Sequence, residues 1–169
     1  MTAIADLFEK IRRHHEWFPP LPAERVRELE SKLGYALPAD LREFYSLCNG
    51  AAVFRGDCTF LPLEAVRRVR IDMFGADIDF SDGATATWYS VCDIQDGDYI
   101  AADLASVDGE HCWMLGCDHE DPCPANIIAL SFTELLARAL NSGGEHFWLV
   151  DPPIYGYTPD GGPSESATG

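Results

Sequence analysis

The feature that most constrains this chain is a change of hydrophobic period at Asn49-Gly50. Before this dipeptide, apolar residues recur every three or four positions, as they do on the buried face of a helix. After it, apolar residues come in short or alternating runs separated by Asp and Gly, which is typical of strands joined by tight turns. Asn and Gly both tolerate a positive φ, so the dipeptide is expected to end the helical part. The pattern predicts helices in the first third of the chain and a sheet of short strands after them.

The spacing predicts three helices before Gly50 and one near the end of the chain. Their apolar faces are Ile4, Leu7, Phe8 and Ile11; Val26, Leu29 and Leu33; Leu41, Phe44, Tyr45 and Cys48; and Phe132, Leu135, Leu136, Ala139 and Leu140. Pro38 suits the first turn of the third helix. Ser131-Phe-Thr-Glu134 has the order of a capping box, which predicts that the last helix begins there.

Seven short runs predict strands: Ala51 to Arg55, Cys58 to Leu61, Val66 to Ile71, Thr87 to Asp93, Asp98 to Leu104, Cys112 to Gly116 and Asn126 to Leu130. Within this part, Leu63 to Arg70 fits either a helix or a strand, and Met73 to Gly83 has the composition of a loop. A further edge strand is predicted at Phe147 to Val150. These runs predict a sheet built from hairpins.

The length of 169 residues and the hydrophobic fraction of 47% suit one domain. We predict a domain over residues 1–150 and a tail over residues 151–169, where Pro and Gly supply eight of nineteen residues and a loop or disorder is expected. No apolar run approaches the roughly 20 residues of a membrane span. The first residues lack a basic n-region, so we expect a cytoplasmic protein with reduced cysteines.

Charge is distributed unevenly along the chain, whose formal net charge is -16. Residues 1–70 hold eleven of the twelve Lys and Arg residues and ten acidic residues, whereas residues 71–169 hold one basic and eighteen acidic residues. An anionic surface repels phosphate backbones, which argues against nucleic-acid binding. It attracts basic partners and accelerates their encounter.

A zinc site is the alternative function suggested by Cys112, Cys117, His119 and Cys123, because zinc binds sets of three thiolates and one imidazole. The spacing argues against it. Four residues separate Cys112 from Cys117, and only one separates Cys117 from His119, whereas structural zinc sites usually carry a paired C-x2-C. We therefore expect no metal and no cofactor.

The chain also lacks the sequence patterns of common catalytic sites. G-x-S-x-G, P-loop and dinucleotide-binding patterns are absent. His14-x-Glu16 begins a deaminase signature, but no P-C-x-x-C follows. The run from Asp93 to Asp98 lacks the residue order of a calcium loop, and a hairpin turn explains it. We expect a protein that is not an enzyme.

The order of several motifs resembles the SUKH superfamily. The first block runs from Arg25 to Gly50 and contains E-x-x-L-G at Glu30-Gly34, Leu37-Pro-Ala-Asp40 and Asn49-Gly50. Later matching pieces are Phe60 to Leu63, Asp96-Gly-Asp-Tyr99, Gly116-x-Asp-His-Glu120 and Ser131-Phe-x-Glu-Leu-Leu136. The resemblance spans about Pro22 to Leu140.

This resemblance implies an α+β fold with a central, mainly antiparallel sheet flanked by α-helices, and a binding role without catalytic residues. Many bacterial members are similar to immunity proteins that neutralise toxins, often nucleases, while fungal members regulate cell-wall assembly. Combined with the charge, it predicts a bacterial immunity protein that binds a basic toxin domain and is a monomer or a weak homodimer. The alternative is an intracellular scaffold or regulatory adaptor without a toxin partner.

Acidic residues of the second half are the candidate contacts for such a partner, because their charge is complementary to a basic surface. The candidate partner-binding residues are Asp72, Asp77, Asp79, Asp82, Asp96, Asp98, Asp118, Glu120 and Asp121.

Overall fold

The computed structural model describes residues 3–12, 16–53, 58–77, 84–95, 97–106, 111–120, 126–143, 145–147, 155–157 and 163–165. The helices are α1 Ala3–Ile11, α2 Ala23–Leu33, α3 Ala39–Leu47, α4 Val69–Phe74 and α5 Phe132–Asn141. The strands are β1 Glu16–Trp17, β2 Ala51–Val53, β3 Cys58–Phe60, β4 Trp88–Asp93, β5 Tyr99–Asp103, β6 Met114–Cys117, β7 Asn126–Ala129, β8 Tyr155–Tyr157 and β9 Pro163–Glu165. The predicted α+β class is confirmed.

All nine strands form one sheet in sequence order, from β1 at one edge to β9 at the other. Each neighbouring pair is antiparallel. Short connections join β2 to β3 and β4 to β5, as antiparallel neighbours allow, whereas helices lie between β1 and β2, between β3 and β4, and between β7 and β8. The expectation of a mainly antiparallel sheet is confirmed.

The two faces of the sheet bury two separate apolar clusters. Along β5, Ile100 and Ala102 belong to the main core, and Ala101 between them belongs to the second cluster, as the alternation of a strand requires. Residues of α1, α2, α3 and α5 pack into the main core. Val69 of α4 packs into the second cluster. The long amphipathic helices therefore cover one face, and α4 covers part of the other.

Three aromatic rings join α3, the sheet and α5 in the main core. The ring centroids of Phe44 and Phe132 are 4.8 Å apart, and Phe60 lies 5.5 Å from Phe132 and 5.6 Å from Phe44. All three side chains are almost fully buried. Aromatic pairs at such separations contribute about 0.5–1.5 kcal/mol beyond the burial of their area.

The start of α5 confirms the predicted capping motif. The Ser131 hydroxyl accepts a hydrogen bond from the Glu134 backbone N–H at 3.0 Å. The Glu134 carboxylate reaches one residue further back than a capping box requires, and accepts from the Leu130 N–H at 2.8 Å.

The strand predicted over Val66 to Ile71 is wrong, because the chain forms α4 from Val69 onward. Only Arg68 makes a strand-like bridge, to Tyr89. Val69 buries itself against the second face of the sheet, and Gly75 ends the helix in the left-handed conformation at φ 70°. Packing against the sheet therefore determined that the ambiguous run ending at Arg70 leads into a helix and not a strand.

The expectation of an irregular tail is wrong for Tyr155–Tyr157 and Pro163–Glu165, which form β8 and β9. Strand β7 offers an edge of backbone donors and acceptors, and β8 pairs with it at Ile127 and Asn126. The domain boundary at residue 150 stays a prediction. Most of the strand predicted over Phe147 to Val150 lies outside the described residues. None of the helices in the described part of the chain has the length and apolar character that a membrane crossing requires.

Candidate functional site

Carboxylates gather at one end of the sheet. Strand β4 ends at Asp93 and pairs there with Tyr99, the first residue of β5. Tyr99 in turn pairs with Cys117, the last residue of β6. Residues at these strand ends are therefore neighbours although they are distant in sequence. We call the exposed or half-buried carboxylates at this end, Asp93, Asp98, Asp118 and Glu120, the acidic edge.

His119 lies within the acidic edge and bonds one of its carboxylates. Its Nδ1 lies 2.7 Å from Asp98 Oδ1, which also accepts from the His119 backbone N–H at 3.0 Å. Asp118 Oδ1 lies 3.9 Å from the same ring nitrogen. The hydrogen bond to Asp98 raises the pKa of His119, and the charges of Asp98, Asp118 and Glu120 raise it further. The acidic edge therefore favours a protonated imidazole.

Asp98, Asp118 and His119 also bring three potential metal ligands together, since one ligand atom of each lies within 4.8 Å of the others. Two carboxylates and an imidazole suit a divalent cation chemically. The His119 nitrogen nearest the carboxylates is, however, already hydrogen-bonded to Asp98. A metal ion would have to replace that bond.

The alternative zinc set does not converge where the structure describes it. Cys112 is buried in the main core and Cys117 in the second cluster, so they lie on opposite faces of the sheet. The side chain of His119 is 45% exposed and is directed to Asp98. Cys123 lies outside the described residues. The sheet lies between the Cys112 and Cys117 thiols, which weakens the zinc hypothesis.

Two of the predicted contact residues are paired with arginines near α4. Asp72 Oδ1 accepts from Arg67 Nε at 2.6 Å, and the Asp72 side chain is only 6% exposed. Asp77 bonds Arg70 Nε and lies 3.4 Å from Arg68 Nη1. These pairs neutralise part of the charge that the sequence assigned to the second half. These arginines belong to residues 1–70 and the two aspartates to residues 71–169. Separate charge totals for the two halves therefore could not show that these residues pair.

The nine predicted contact residues thus fall into three groups. Asp98, Asp118 and Glu120 meet at the acidic edge, while Asp72 and Asp77 are ion-paired near α4. The remaining four lie outside the described residues: Asp79, Asp82, Asp96 and Asp121.

Sequence reasoning missed a cavity beside the acidic edge, between α4 and the strand ends. We call it the Tyr99 cavity; it has a volume of about 380 Å³ and is lined by Leu61, Glu64, Ala65, Arg67, Asp72, Asp93 and Tyr99. Burial raises the pKa of Tyr99, and the charges of Asp93 and Asp72 raise it further, against an opposing effect of Arg67. Burial and the two carboxylates therefore raise the pKa of Tyr99 by more than the Arg67 guanidinium lowers it. The alternation of β4 and β5 was the only sequence signal for the pairing of Asp93 with Tyr99.

Comparison with known proteins connects this architecture to a family. Residues 20–138 match the model of the SMI1 / KNR4 family (SUKH-1), a range that extends from just before α2 into α5. The chain is also 30% identical over 122 residues to "Immunity protein YokJ" of Bacillus subtilis (strain 168), which covers 69% of this chain and 73% of the relative. The matched range contains α2 to α4, β2 to β7 and the whole acidic edge. The chain therefore belongs to the SMI1 / KNR4 family (SUKH-1), as the order of its motifs predicted.

Proposed function

We propose that this protein is an immunity protein, which binds a protein toxin and neutralises it without a catalytic step. The observation that carries the proposal is the 30% identity to a relative named as an immunity protein, over more than two thirds of both chains. Family membership over residues 20–138 supports the same role.

The charge of the chain supports a basic toxin, of the nuclease type. A nuclease binds phosphate backbones through cationic residues, so a protein with a net charge of -16 complements such a site. Among the predicted contacts, Asp118 and Glu120 are exposed and have no cationic partner other than His119 among the described residues. Asp72 and Asp77 already bond arginines. We therefore propose the acidic edge as the main charged contact.

The test mixes this protein with the C-terminal domain of the toxin encoded beside its gene. We expect a stable complex in gel filtration and loss of the toxin's nucleic-acid cleavage. Asp118→Asn with Glu120→Gln removes two charges from the acidic edge, and should raise the Kd by about tenfold.

Asp6→Asn with Glu24→Gln is the matched control, because it removes the same charge from exposed positions on α1 and α2. This control should leave the Kd within about twofold of the native value. A toxin neighbour that neither binds nor loses activity would overturn the immunity role and favour the adaptor alternative. Equal effects of the two double variants would overturn the acidic edge as the contact.

A further inference from the structure

We propose that Cys58 and Cys92 form a site of reversible oxidation, at which a low-molecular-weight disulfide converts the two thiols into a cross-strand disulfide bond. The inference does not depend on the immunity role. It assigns a chemistry to two cysteines that neither the sequence motifs nor the acidic edge involves.

The two sulfur atoms already lie close together. Cys58 Sγ and Cys92 Sγ are 3.0 Å apart, in a contact for which either thiol can be the donor. Both cysteines are buried and are free thiols in the structure. Their separation is about 1 Å longer than the S–S bond of a disulfide, so a small movement of the side chains closes it.

Strand register brings the two cysteines to the same face of the sheet. Cys92 of β4 pairs with Phe60 of β3, and Cys58 lies two residues before Phe60, so the two cysteines are diagonal neighbours. Side chains two residues apart on a strand point to the same face, and both cysteines belong to the main core. The pairing of β3 with β4 therefore joins two cysteines that are 34 positions apart in the chain.

Exposure and protonation give the two thiols different roles. Cys58 is the first residue of β3 and keeps 7% of its surface accessible, whereas Cys92 is fully buried. Burial raises the pKa of Cys92, and its hydrogen bond with Cys58 raises it further, so Cys92 stays protonated. Cys58 is therefore the thiol that meets the oxidant first, and Cys92 is the thiol that completes the reaction.

The reaction is a thiol–disulfide exchange in two steps. The Cys58 thiolate attacks the disulfide RSSR, which forms a mixed disulfide on Cys58 and releases RS⁻. Cys92 then loses its proton and its sulfur attacks Cys58 Sγ, which forms the bond between the two cysteines and releases a second RS⁻. The cysteines lose two electrons and two protons, and RSSR gains them to become two RSH.

The new bond closes a long loop. Residues 61–87 connect β3 to β4 and include α4, and the two strands pair at Thr59 with Asp93 and at Phe60 with Cys92. A cross-link between the ends of a long loop restricts the unfolded chain and thereby favours the folded one. We therefore expect the oxidised protein to be more stable than the reduced protein.

The experiment incubates the full native chain with oxidised glutathione, alkylates the remaining thiols and maps the disulfides of the monomer by mass spectrometry. We expect two of the six cysteines to escape alkylation and the digest to contain a linked pair of peptides carrying Cys58 and Cys92. The urea midpoint should rise by about 1 M on oxidation, and dithiothreitol should reverse the rise. Six alkylated cysteines, glutathione retained on Cys58, or a different linked pair would overturn the proposal.

Cys58→Ala removes the attacking thiol, and should abolish both the linked peptides and the rise of the urea midpoint. Cys117→Ala is the matched control, because it removes another buried thiol from a strand on the other face of the sheet. This control should still form the bond between Cys58 and Cys92. A midpoint that rises equally in Cys58→Ala would overturn the proposal, and the digest of the native protein decides the matter if that variant does not fold.

Discussion

Gly50 is the residue whose substitution tests the transition from helices to sheet most directly. Its φ is 93°, and a Cβ atom there would lie 2.5 Å from Phe60 O and 2.9 Å from backbone atoms of Leu61 and Pro62. Gly50→Ala therefore combines a strained φ with a collision against backbone, and should lower the free energy of unfolding by about 3 kcal/mol. Urea unfolding followed by far-UV circular dichroism measures the loss.

Gly34→Ala is the matched control, since its φ is 78° and nothing lies within 4 Å of the added Cβ. Gly34→Ala should lower the free energy of unfolding by about 1 kcal/mol, which is the cost of placing alanine in the left-handed conformation. Equal losses at the two positions would show that the contact with Phe60 O has no effect.

His119 makes the acidic edge sensitive to pH. Its pKa is raised above 6.5, chiefly by the hydrogen bond to Asp98. The stabilisation from this bond is therefore fully present at pH values below the unfolded pKa, and is lost as pH rises through the higher folded pKa. Asp98→Asn should move the pKa of His119 downward, which an NMR titration of the imidazole protons measures. An unchanged pKa in this variant would contradict the assignment.

At the scale of elements, Asp40 joins α3 to α5. Its Oδ1 accepts from the Leu41 N–H at 2.8 Å, and its Oδ2 accepts from the Thr133 N–H at 2.9 Å and from the Thr133 hydroxyl at 3.2 Å. Asp40→Asn places an amide donor where a carboxylate oxygen now accepts a backbone N–H. Because Asp40 is buried, we expect a loss of about 2 kcal/mol in the free energy of unfolding.

Thermal unfolding compares this variant with Asp6→Asn, which changes an exposed residue in the first turn of α1. The control should lose less than about 0.5 kcal/mol. A loss at Asp40 no larger than that at Asp6 would show that the link between the two helices is not needed for stability.

Elements were predictable where local chemistry decided them. Leu37-Pro38 separates α2 from α3, Ser131 caps α5, and Gly34 ends α2 in the left-handed conformation. Helix α4 was not predicted: Val69 and Arg70 lie in a run that fits either period, and Met73 and Phe74 lie in the stretch predicted as a loop, which is wrong for these two residues. Strand β1 was missed because its two residues form a strand only by pairing with β2.

At the scale of the whole molecule, the excess of acidic residues should govern the rate of association with a basic toxin. Raising NaCl from about 50 to 500 mM shortens the Debye length and screens long-range attraction. We expect the association rate constant to fall by at least about tenfold over this range, with a smaller change in the dissociation rate constant. Stopped-flow mixing with the neighbouring toxin domain measures both, and a rate independent of salt would contradict electrostatic steering.

The sequence by itself determined the α+β class, the helices α1, α2, α3 and α5, and the acidic character of the second half. These properties depend on periodicity, capping residues and composition, which are local or additive. The tertiary structure alone decided which acidic groups act together. It paired Asp72 and Asp77 with arginines, placed His119 against Asp98, and brought α4 over Asp93 and Tyr99. The physical reason is that charge interactions depend on distances through space, which strand register and helix packing set.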